Sequence, residues 1–252
     1  MVRTRIRIAA YFQIYSFTNI LIHMSTLMRL NKYLAHATGI SRREADDLIE
    51  QGRVSVNGRA VELGSQIAET DLLAIDGKPV TNATPTYTYL LLNKPVGYLC
   101  SRKSQGGDPT IYQLLPPMYH LLKPVGRLDR DSSGLLLLTD DGDFAHRMTH
   151  PSFHKNKTYE VALDHDLAPL HRQMISDIGV DLEDGKSQLQ LERLIDGDET
   201  QWKVIMHEGR NRQIRRTLLA LGYTVTRLHR TQFGNYSVQT LKQGEYAPTS
   251  MK

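Results

Sequence analysis

The stretch Gly126-Arg127-Leu128-Asp129-Arg130-Asp131-Ser132-Ser133-Gly134-Leu135-Leu136-Leu137-Leu138-Thr139 decides how this chain is read. A charged pair, Arg127 and Asp129, stands just before a turn-like Asp-Ser-Ser-Gly, and four leucines follow. Turn residues beside an apolar run predict entry into a strand. The carboxylate set between arginines is the unusual part. A buried charge is costly unless paired, so Asp129 is either a structural ion-pair member or a working nucleophile. Spacing alone favours the structural reading, because ion-pair networks perturb carboxylates too; the rest of the chain reverses that preference.

Around this stretch the chain has 252 residues, 40% of them apolar and 23% charged. That is the balance of a soluble globular protein with one large domain or two modest ones. The net charge of +4 is compatible with nucleic acid without demanding it. A single cysteine, Cys100, excludes a disulfide within the chain and a cysteine-rich zinc site. A reducing compartment, the cytoplasm, is expected. Cys100 reads as a buried or neutral thiol.

The flanking segments give the elements. Strands are predicted at residues 87–92, 135–139, 158–163 and 201–206, and helices near 143–149, 167–177 and 211–221. Residues 97–110, with Gly106-Gly107-Asp108-Pro109, read as loop. Nearer the N-terminus, Leu30, Leu34 and Ala37 recur at helical spacing up to Gly39. Ser41 with Glu44 three residues on is a capping-box signature for a second helix carrying Ala45, Leu48 and Ile49 and ending at Gly52. Val54 and Val56 then alternate before Asn57-Gly58, a hairpin signal, with Val61 on the return side. Residues 28–75 therefore predict two short helices and a hairpin. Thr81–Thr86, small, polar and proline-bearing, reads as a linker. Helices and strands interleave irregularly, which predicts an α+β fold.

Residues 1–27 differ from the rest of the chain. Arg3, Arg5 and Arg7 precede a mixed stretch without an acidic residue. Polar breaks at Gln13, Ser16, Thr18 and Asn19 argue against a membrane span. An organellar transit segment and an upstream start codon both fit. The expectation adopted is that the fold begins at Met28 and that 1–27 is an extension outside it.

Charge is distributed unevenly. Between Trp202 and Arg230 stand seven Lys/Arg residues (Lys203, Arg210, Arg212, Arg215, Arg216, Arg227, Arg230) against one acid, Glu208. A run of this kind is commonly a solvated face, but one so free of acids is a phosphate-contact candidate. Ile214, Leu218 and Leu219 give the same segment an apolar stripe, so Arg215, beside Ile214, could bring its stem toward the core. Residues 28–75 hold six basic and seven acidic residues. Binding there would come from placement: Arg42 and Arg43 at a helix start, Arg53 and Arg59 on the hairpin.

Taken in order, these segments resemble known families. MRLNKYLAHATGISRREADDLIEQGRVSVNG from Met28 is similar to the RNA-binding domain named after ribosomal protein S-four. LLNKPVGYLC (Leu91–Cys100), GRLDRDSSGLLLLTDDGDFAHRMTHP (Gly126–Pro151), KTYEV (Lys157–Val161), EGRNRQIRRTLLALGYTVTRLHR (Glu208–Arg230) and GEYAP (Gly244–Pro248) resemble the catalytic domain of the RsuA/RluB group of pseudouridine synthases. Several motifs in the right order are far more specific than any one alone. The resemblance implies a domain at 28–80, a linker at 81–86 and a catalytic domain at 87–252 built on a mixed, mostly antiparallel sheet.

It also implies isomerisation of a ribosomal RNA uridine to pseudouridine. Asp129 would be the essential aspartate, Tyr159 the active-site tyrosine and Arg215 the ion-pair partner of Asp129. Arg127 would contact RNA near the vacated base position, Lys94 would support the site and Ile214 would pack beneath the base. Lys94 itself, Arg42, Arg43, Arg53, Arg210, Arg212 and Arg216 are the further RNA-contact candidates. The residue chemistry is suitable. A carboxylate with an ordinary pKa of about 3.9 is already ionised at neutral pH. It can add to a sugar or a base carbon, both of which stay open, and leave again. Arginine keeps its proton beside it. Tyr159 offers a ring for stacking and a hydroxyl for proton traffic, although a strand tyrosine alone reads as structural.

The target atoms are inaccessible in a stacked helix, so the uridine must be flipped out. Isomerisation implies neither cofactor nor metal, and His146, His150, His154, His207 and His229 lack a recognised zinc spacing; they read as structural or RNA-facing. The expected partner is ribosomal RNA or a pre-ribosomal particle, with no membrane, and the protein as a monomer. EGRNRQIRR leans toward the large ribosomal subunit. Two other classes fit parts of the sequence. A non-catalytic RNA-binding protein would not require Asp129, Tyr159 and Arg215 together. A glycosidase would want a second carboxylate, and Asp131 reads better as a turn residue.

Overall fold

Residues 27–68, 70–80, 86–238 and 240–252 are described by a computed structural model, and they divide into two units between Thr86 and Tyr87. The expected extension, but for Leu27, and the expected linker, but for Thr86, lie outside the described residues.

In the first unit the short strand β1 (Met28–Arg29) leads into helix α1 (Leu30–Thr38), followed by α2 (Arg42–Glu50). Gly39 closes α1 in the left-handed conformation (φ 76°), which glycine adopts without steric cost. The capping box of α2 is present: Glu44 N donates to Ser41 Oγ (3.2 Å) and Ser41 N donates to Glu44 Oε2 (2.6 Å). Strands β2 (Val54–Val56) and β3 (Arg59–Ala60) make the expected hairpin, with Asn57 and Gly58 both at positive φ (52° and 75°), as a twist-matched two-residue turn requires.

After β4 (Gln66–Ile67), which pairs with β1, comes a second hairpin absent from the sequence expectations: β5 (Leu73–Ile75) and β6 (Lys78–Pro79), turning at Asp76-Gly77. The four hairpin strands form one antiparallel sheet ordered β3-β2-β5-β6. Leu30, Leu34, Ala45, Ile49, Val54, Ile67 and Leu73 form the core of this unit.

The second unit is built on a nine-stranded sheet. Its strands are β7 (Tyr89–Lys94), β8 (Lys123–Pro124), β9 (Ser133–Thr139), β10 (Lys157–Leu163), β13 (Gln190–Arg193), β14 (Gln201–Met206), β15 (Val225–Phe233), β16 (Tyr236–Ser237) and β17 (Tyr246–Thr249). A separate hairpin, β11 (Val180–Leu182) and β12 (Gly185–Ser187), precedes β13. The main order is β13-β14-β10-β15-β9-β7-β17, with β8 beside β9 and β16 beside β15. Every pairing is antiparallel except β15 with β9. The α+β expectation is met.

The leucine run explains itself here. Leu136 and Leu138 face one core with Val161, Trp202, Val204 and Ile214, while Leu135 and Leu137 face a second core with Phe144, Met148, Phe233 and Tyr236. All seven residues of β9 are buried, and a strand covered on both faces reads as a continuous apolar run. Helix α3 (Gly142–Thr149) covers the second core through Phe144 and Met148. Helix α5 (Gln213–Leu219) covers the first through Ile214 and Leu218.

Boundaries shift for local reasons. The helix expected at 211–221 begins only at Gln213, because Arg212 takes a left-handed φ of 46°. The helix expected at 167–177 is α4 (Pro169–Gln173) continued by a wider π-type turn over Met174–Ile178.

Candidate active site

Asp129 lies on the loop between β8 and β9, and that loop is tied to the sheet behind it. Lys94, the last residue of β7, is fully buried. Its ammonium donates to the carbonyl oxygens of Pro95 (3.0 Å), Asp129 (3.1 Å) and Ser132 (2.7 Å). Ser132 N donates to Asp129 O (3.1 Å) and Gly97 N to Arg130 O (2.7 Å), so the turn is closed from both sides. Burial pushes the Lys94 ammonium below its ordinary value. Lys94, expected among the RNA contacts, is instead engaged by three backbone carbonyls. A fully buried ammonium with three carbonyl partners has no donor to offer a phosphate, and it serves the site by shaping the 129–132 turn.

Gly134, next on β9, is required by close approach. A Cβ there would lie 2.2 Å from the carbonyl oxygen of Arg230. This contact is where β9 runs parallel to β15, pairing Ser133 with His229 and Gly134 with Arg230. Arg230 is 2% exposed and donates Nε to the Leu135 carbonyl (2.8 Å), with its guanidinium over the Phe233 ring. One member of the basic stripe is thus a core residue.

Tyr159 sits on β10 across from Arg230, beside a register shift between Thr158 and Tyr159. Such a bulge re-aims a side chain locally. Asp129, Tyr159 and Ile214 converge on one cleft of about 490 Å³, together with Arg127, Arg210 and Arg212. Tyr159 and Ile214 are 8% and 4% exposed and form apolar wall, whereas the Asp129 side chain is 36% exposed. Lys157 and Arg230 also line the cleft. The sequence reading did not single them out as site residues. Lys157 stood in the quoted KTYEV, and no local signal separates it from a surface lysine.

The ion pairs are not arranged as expected. Arg215 does not pair with Asp129. Its guanidinium donates to the backbone carbonyls of Val225 (2.7 Å) and Asp131 (2.8 Å), and its Nε lies 3.3 Å from Asp131 Oδ2. Arg212 makes a two-pronged pair with Asp131 (3.0 and 2.9 Å) and is the cation nearest Asp129, at 3.8 Å from Oδ2. Asp131 is thus an ion-pair hub as well as a turn residue. The Arg212 hydrogen bonds, aided by the charge of Arg215, hold its carboxyl below the usual carboxylate range. The physical reason for the exchange is position. Arg215 follows Ile214 on α5, its side chain is only 13% exposed, and it is bound to the Asp131 carbonyl of the 129–132 turn, outside the cleft lining.

Two more arginines are engaged internally. Arg210 donates to the carbonyls of Asp184, Gly185 and Lys186 and pairs with Asp184 (2.9 Å), and Arg216 pairs with the same Asp184 (2.6 Å). The β11–β12 turn thereby clasps the start of α5. As phosphate contacts Arg210 and Arg216 are corrected in part, because their strongest partners lie within the protein. Arg127 is exposed in the cleft and makes no hydrogen bond or ion pair among the described residues. In the first unit Arg42 donates to Asn31 (3.0 Å), Arg43 is exposed, and Arg53 pairs with Asp76 on the surface (2.9 and 2.5 Å). Exposed pairs of this kind are worth little and exchange readily.

Cys100 accepts a hydrogen bond from Leu128 N (3.4 Å), and burial pushes its thiol up. It is a packing residue beside the loop. Among the described residues no group of three or more His, Cys, Asp or Glu side chains could hold a metal ion. Nor does any described helix have the length and apolarity to cross a membrane.

Comparison with known proteins places both segments in known families. The profile of the family described as RNA pseudouridylate synthase matches residues 88–220, and that of the S4 domain matches residues 28–73. A ribosomal large subunit pseudouridine synthase B of Bacillus subtilis is 36% identical over 222 residues, covering 86% of this chain and 90% of that protein. A ribosomal small subunit pseudouridine synthase A of Pasteurella multocida is 38% identical over 226 residues, covering 88% and 96%. Among solved structures, one titled as a pseudouridylate synthase aligns with a TM-score of 0.62 at 35% identity, over 88% of this chain and 96% of that one.

Proposed function

Because this chain belongs to the RNA pseudouridylate synthase family and carries an S4 domain ahead of the catalytic one, we propose that it isomerises one uridine of ribosomal RNA to pseudouridine. In that reaction the bond from the ribose C1′ to uracil N1 breaks and a bond from C1′ to C5 forms. The C5 proton leaves and N1 gains one, so atoms balance without a co-reactant.

The observation that carries the reading is the placement of Asp129. Its carboxylate is partly exposed in a cleft walled by Tyr159 and Ile214, with Arg212 at 3.8 Å. A nucleophilic carboxylate needs this exposure to reach the flipped nucleotide, and the neighbouring Arg212 can orient it. Tyr159 gives the uracil a flat face to lie against, and Ile214 closes the wall beside it. Arg127, with no hydrogen bond or ion pair among the described residues, is suited to the RNA backbone near the emptied base position. Lys94 and Arg215 act from behind by fixing the turn that bears Asp129.

Two domains divide the labour. The first unit, through Arg42, Arg43 and Arg53, grips folded RNA in the cytoplasm, and the second, as a monomer, supplies the chemistry. The wording of Glu208–Arg216 leans toward large-subunit RNA. The relatives divide between the two subunits at nearly equal identity, so the assay reads both. Pseudouridine mapping of ribosomal RNA from cells carrying wild-type or Asp129→Asn protein tests the proposal. One position lost in the variant supports it and names the subunit and nucleotide. An unchanged map refutes it, in favour of another RNA substrate or of a protein that only binds RNA.

A further inference from the structure

The segment from Phe144 to Tyr159 contains no acidic residue, and none of its histidines is used by the reaction above. Helix α3 ends in it, a single turn over Pro151–Phe153 follows, and His154 then takes a left-handed φ of 45°. His146, Arg147, His150, Phe153 and His154 are all exposed. Three of these rings assemble. The His146 and His150 centroids are 4.8 Å apart, His146 and Phe153 5.8 Å, and His150 and Phe153 6.3 Å.

The assembly is held in place. Phe153 N donates to His150 O (3.1 Å) and His154 N to Pro151 O (3.1 Å), while Ser152 fixes the His150 ring through its hydroxyl (2.7 Å) and its backbone N (3.3 Å). It also borders the cleft directly. Thr149 and Pro151 line the cleft, and a Cβ at Gly126, next to Arg127, would meet the Thr149 methyl at 3.5 Å. A lone exposed phenylalanine needs no explanation. Three rings fixed together beside the cleft, on a segment of purely positive and neutral residues, do.

We propose that Phe153, held edge-on against His146 and His150 (84° and 78°), offers the stacking face for the unpaired base next to the flipped uridine. The proposal rests on the reading of the cleft as a uridine site. Flipping one nucleotide leaves its neighbour with a bare face. Aromatic side chains take such a face whatever the base. The positive character of Arg147 and Lys155 on the same segment matches the phosphates on either side of that base. Phe153, 42% exposed, is the ring most open to a ligand.

The test uses full-length protein with Phe153→Ala and Phe153→Trp. The ligand is a single-stranded RNA carrying the uridine located by mapping, or a uridine in a mixed sequence if mapping finds none, with 2-aminopurine beside it. Stacking quenches 2-aminopurine fluorescence. Wild-type and Phe153→Trp are expected to quench it, and Phe153→Ala to bind about 10-fold more weakly with the quenching lost. The salt dependence of affinity should stay parallel to wild type in both variants, because no phosphate contact is removed. Where turnover is measured, Phe153→Ala should raise KM far more than it lowers kcat. Unchanged affinity and quenching in Phe153→Ala, or Phe153→Trp as weak as Phe153→Ala, overturns the stacking role. This binding readout needs no turnover. A missing product with intact quenching therefore counts against the synthase reading and leaves the stacking role standing.

Discussion

Replacing Lys94 by Met is the sharpest test of how Asp129 is held. Methionine fills nearly the same volume and removes the charge and all three donors. The ammonium donates at 3.0, 3.1 and 2.7 Å to the carbonyls of Pro95, Asp129 and Ser132. A hydrogen bond involving a charged group contributes about 1.5–3 kcal/mol, so three contribute roughly 4–9 kcal/mol gross. Against this stands the cost of burying the ammonium, several kcal/mol. That burial outweighs the nearby carboxylates of Asp129 and Asp131 in lowering the Lys94 pKa. The net loss is about 2–4 kcal/mol, which for a domain of this size lowers Tm by roughly 6–12 °C.

Urea and thermal denaturation measure that loss, and single-turnover kinetics on ribosomal RNA should show a chemical step slowed at least tenfold because the 129–132 turn loosens. RNA affinity should keep its slope against log salt, since no phosphate contact is lost. The opposite pattern is equally specific. A variant as stable as wild type, with the slope reduced by about 0.9, would make Lys94 a phosphate ligand and refute the reasoning.

Other outcomes are fixed by the same geometry. Among the described residues the Asp129 side chain accepts no hydrogen bond, and its ion pair, with Arg212, is 3.8 Å long. Asp129→Asn should therefore abolish pseudouridine formation while leaving stability within about 0.5 kcal/mol of wild type; residual turnover by the purified variant would remove Asp129 from the chemistry. Arg215→Ala strips donors from the Val225 and Asp131 carbonyls. It should cost about 2–4 kcal/mol by urea denaturation, and a wild-type midpoint would show the clasp to be idle.

Asp131 predicts a pH dependence. Its carboxyl is held low in the fold, chiefly by Arg212, so the unfolded chain takes up this proton more readily. The stabilisation is complete above the unfolded value of about 3.9 and is lost as pH falls through the lower folded value. Asp131→Asn should flatten that acid limb in a series of denaturation curves, and parallel curves for the two proteins would sink the assignment.

What could be read from the sequence, and what could not, divides along one physical line. Signals confined to a few neighbouring residues were legible. The Ser41–Glu44 box, the Asn57-Gly58 turn and the leucines of β9 each carry their structure in their own chemistry, and so does a carboxylate that proves exposed in a cleft. Asp76-Gly77 is a turn of the same kind, and the hairpin it makes was open to the same reading. Strand β15 was not legible. Val225–Phe233 reads VTRLHRTQF, with two arginines and a histidine. Its burial depends on groups delivered from β9: the Leu135 carbonyl for Arg230 and the Ser133 hydroxyl for His229 (2.9 Å).

The arginine cluster fails in the same way. Arg210, Arg212, Arg215 and Arg216 look free because no acid stands near them in sequence except Glu208. Their carboxylates come from Asp184, 26 residues before Arg210, and from Asp131, 81 residues before Arg212. A count of basic residues therefore overstates the charge left over for RNA. Once these internal pairs are formed, the cation in the cleft with no hydrogen bond or ion pair among the described residues is Arg127. The strength of RNA binding at the cleft should follow Arg127 more closely than any member of the cluster. Arg127→Ala should weaken binding at every salt concentration and reduce the log–log salt slope by roughly one. Arg216→Ala, whose partner Asp184 lies within the protein, should leave that slope unchanged. If Arg216→Ala reduces the slope as much as Arg127→Ala, the pairs seen with Asp184 give way when RNA binds, and the cluster is a phosphate surface after all.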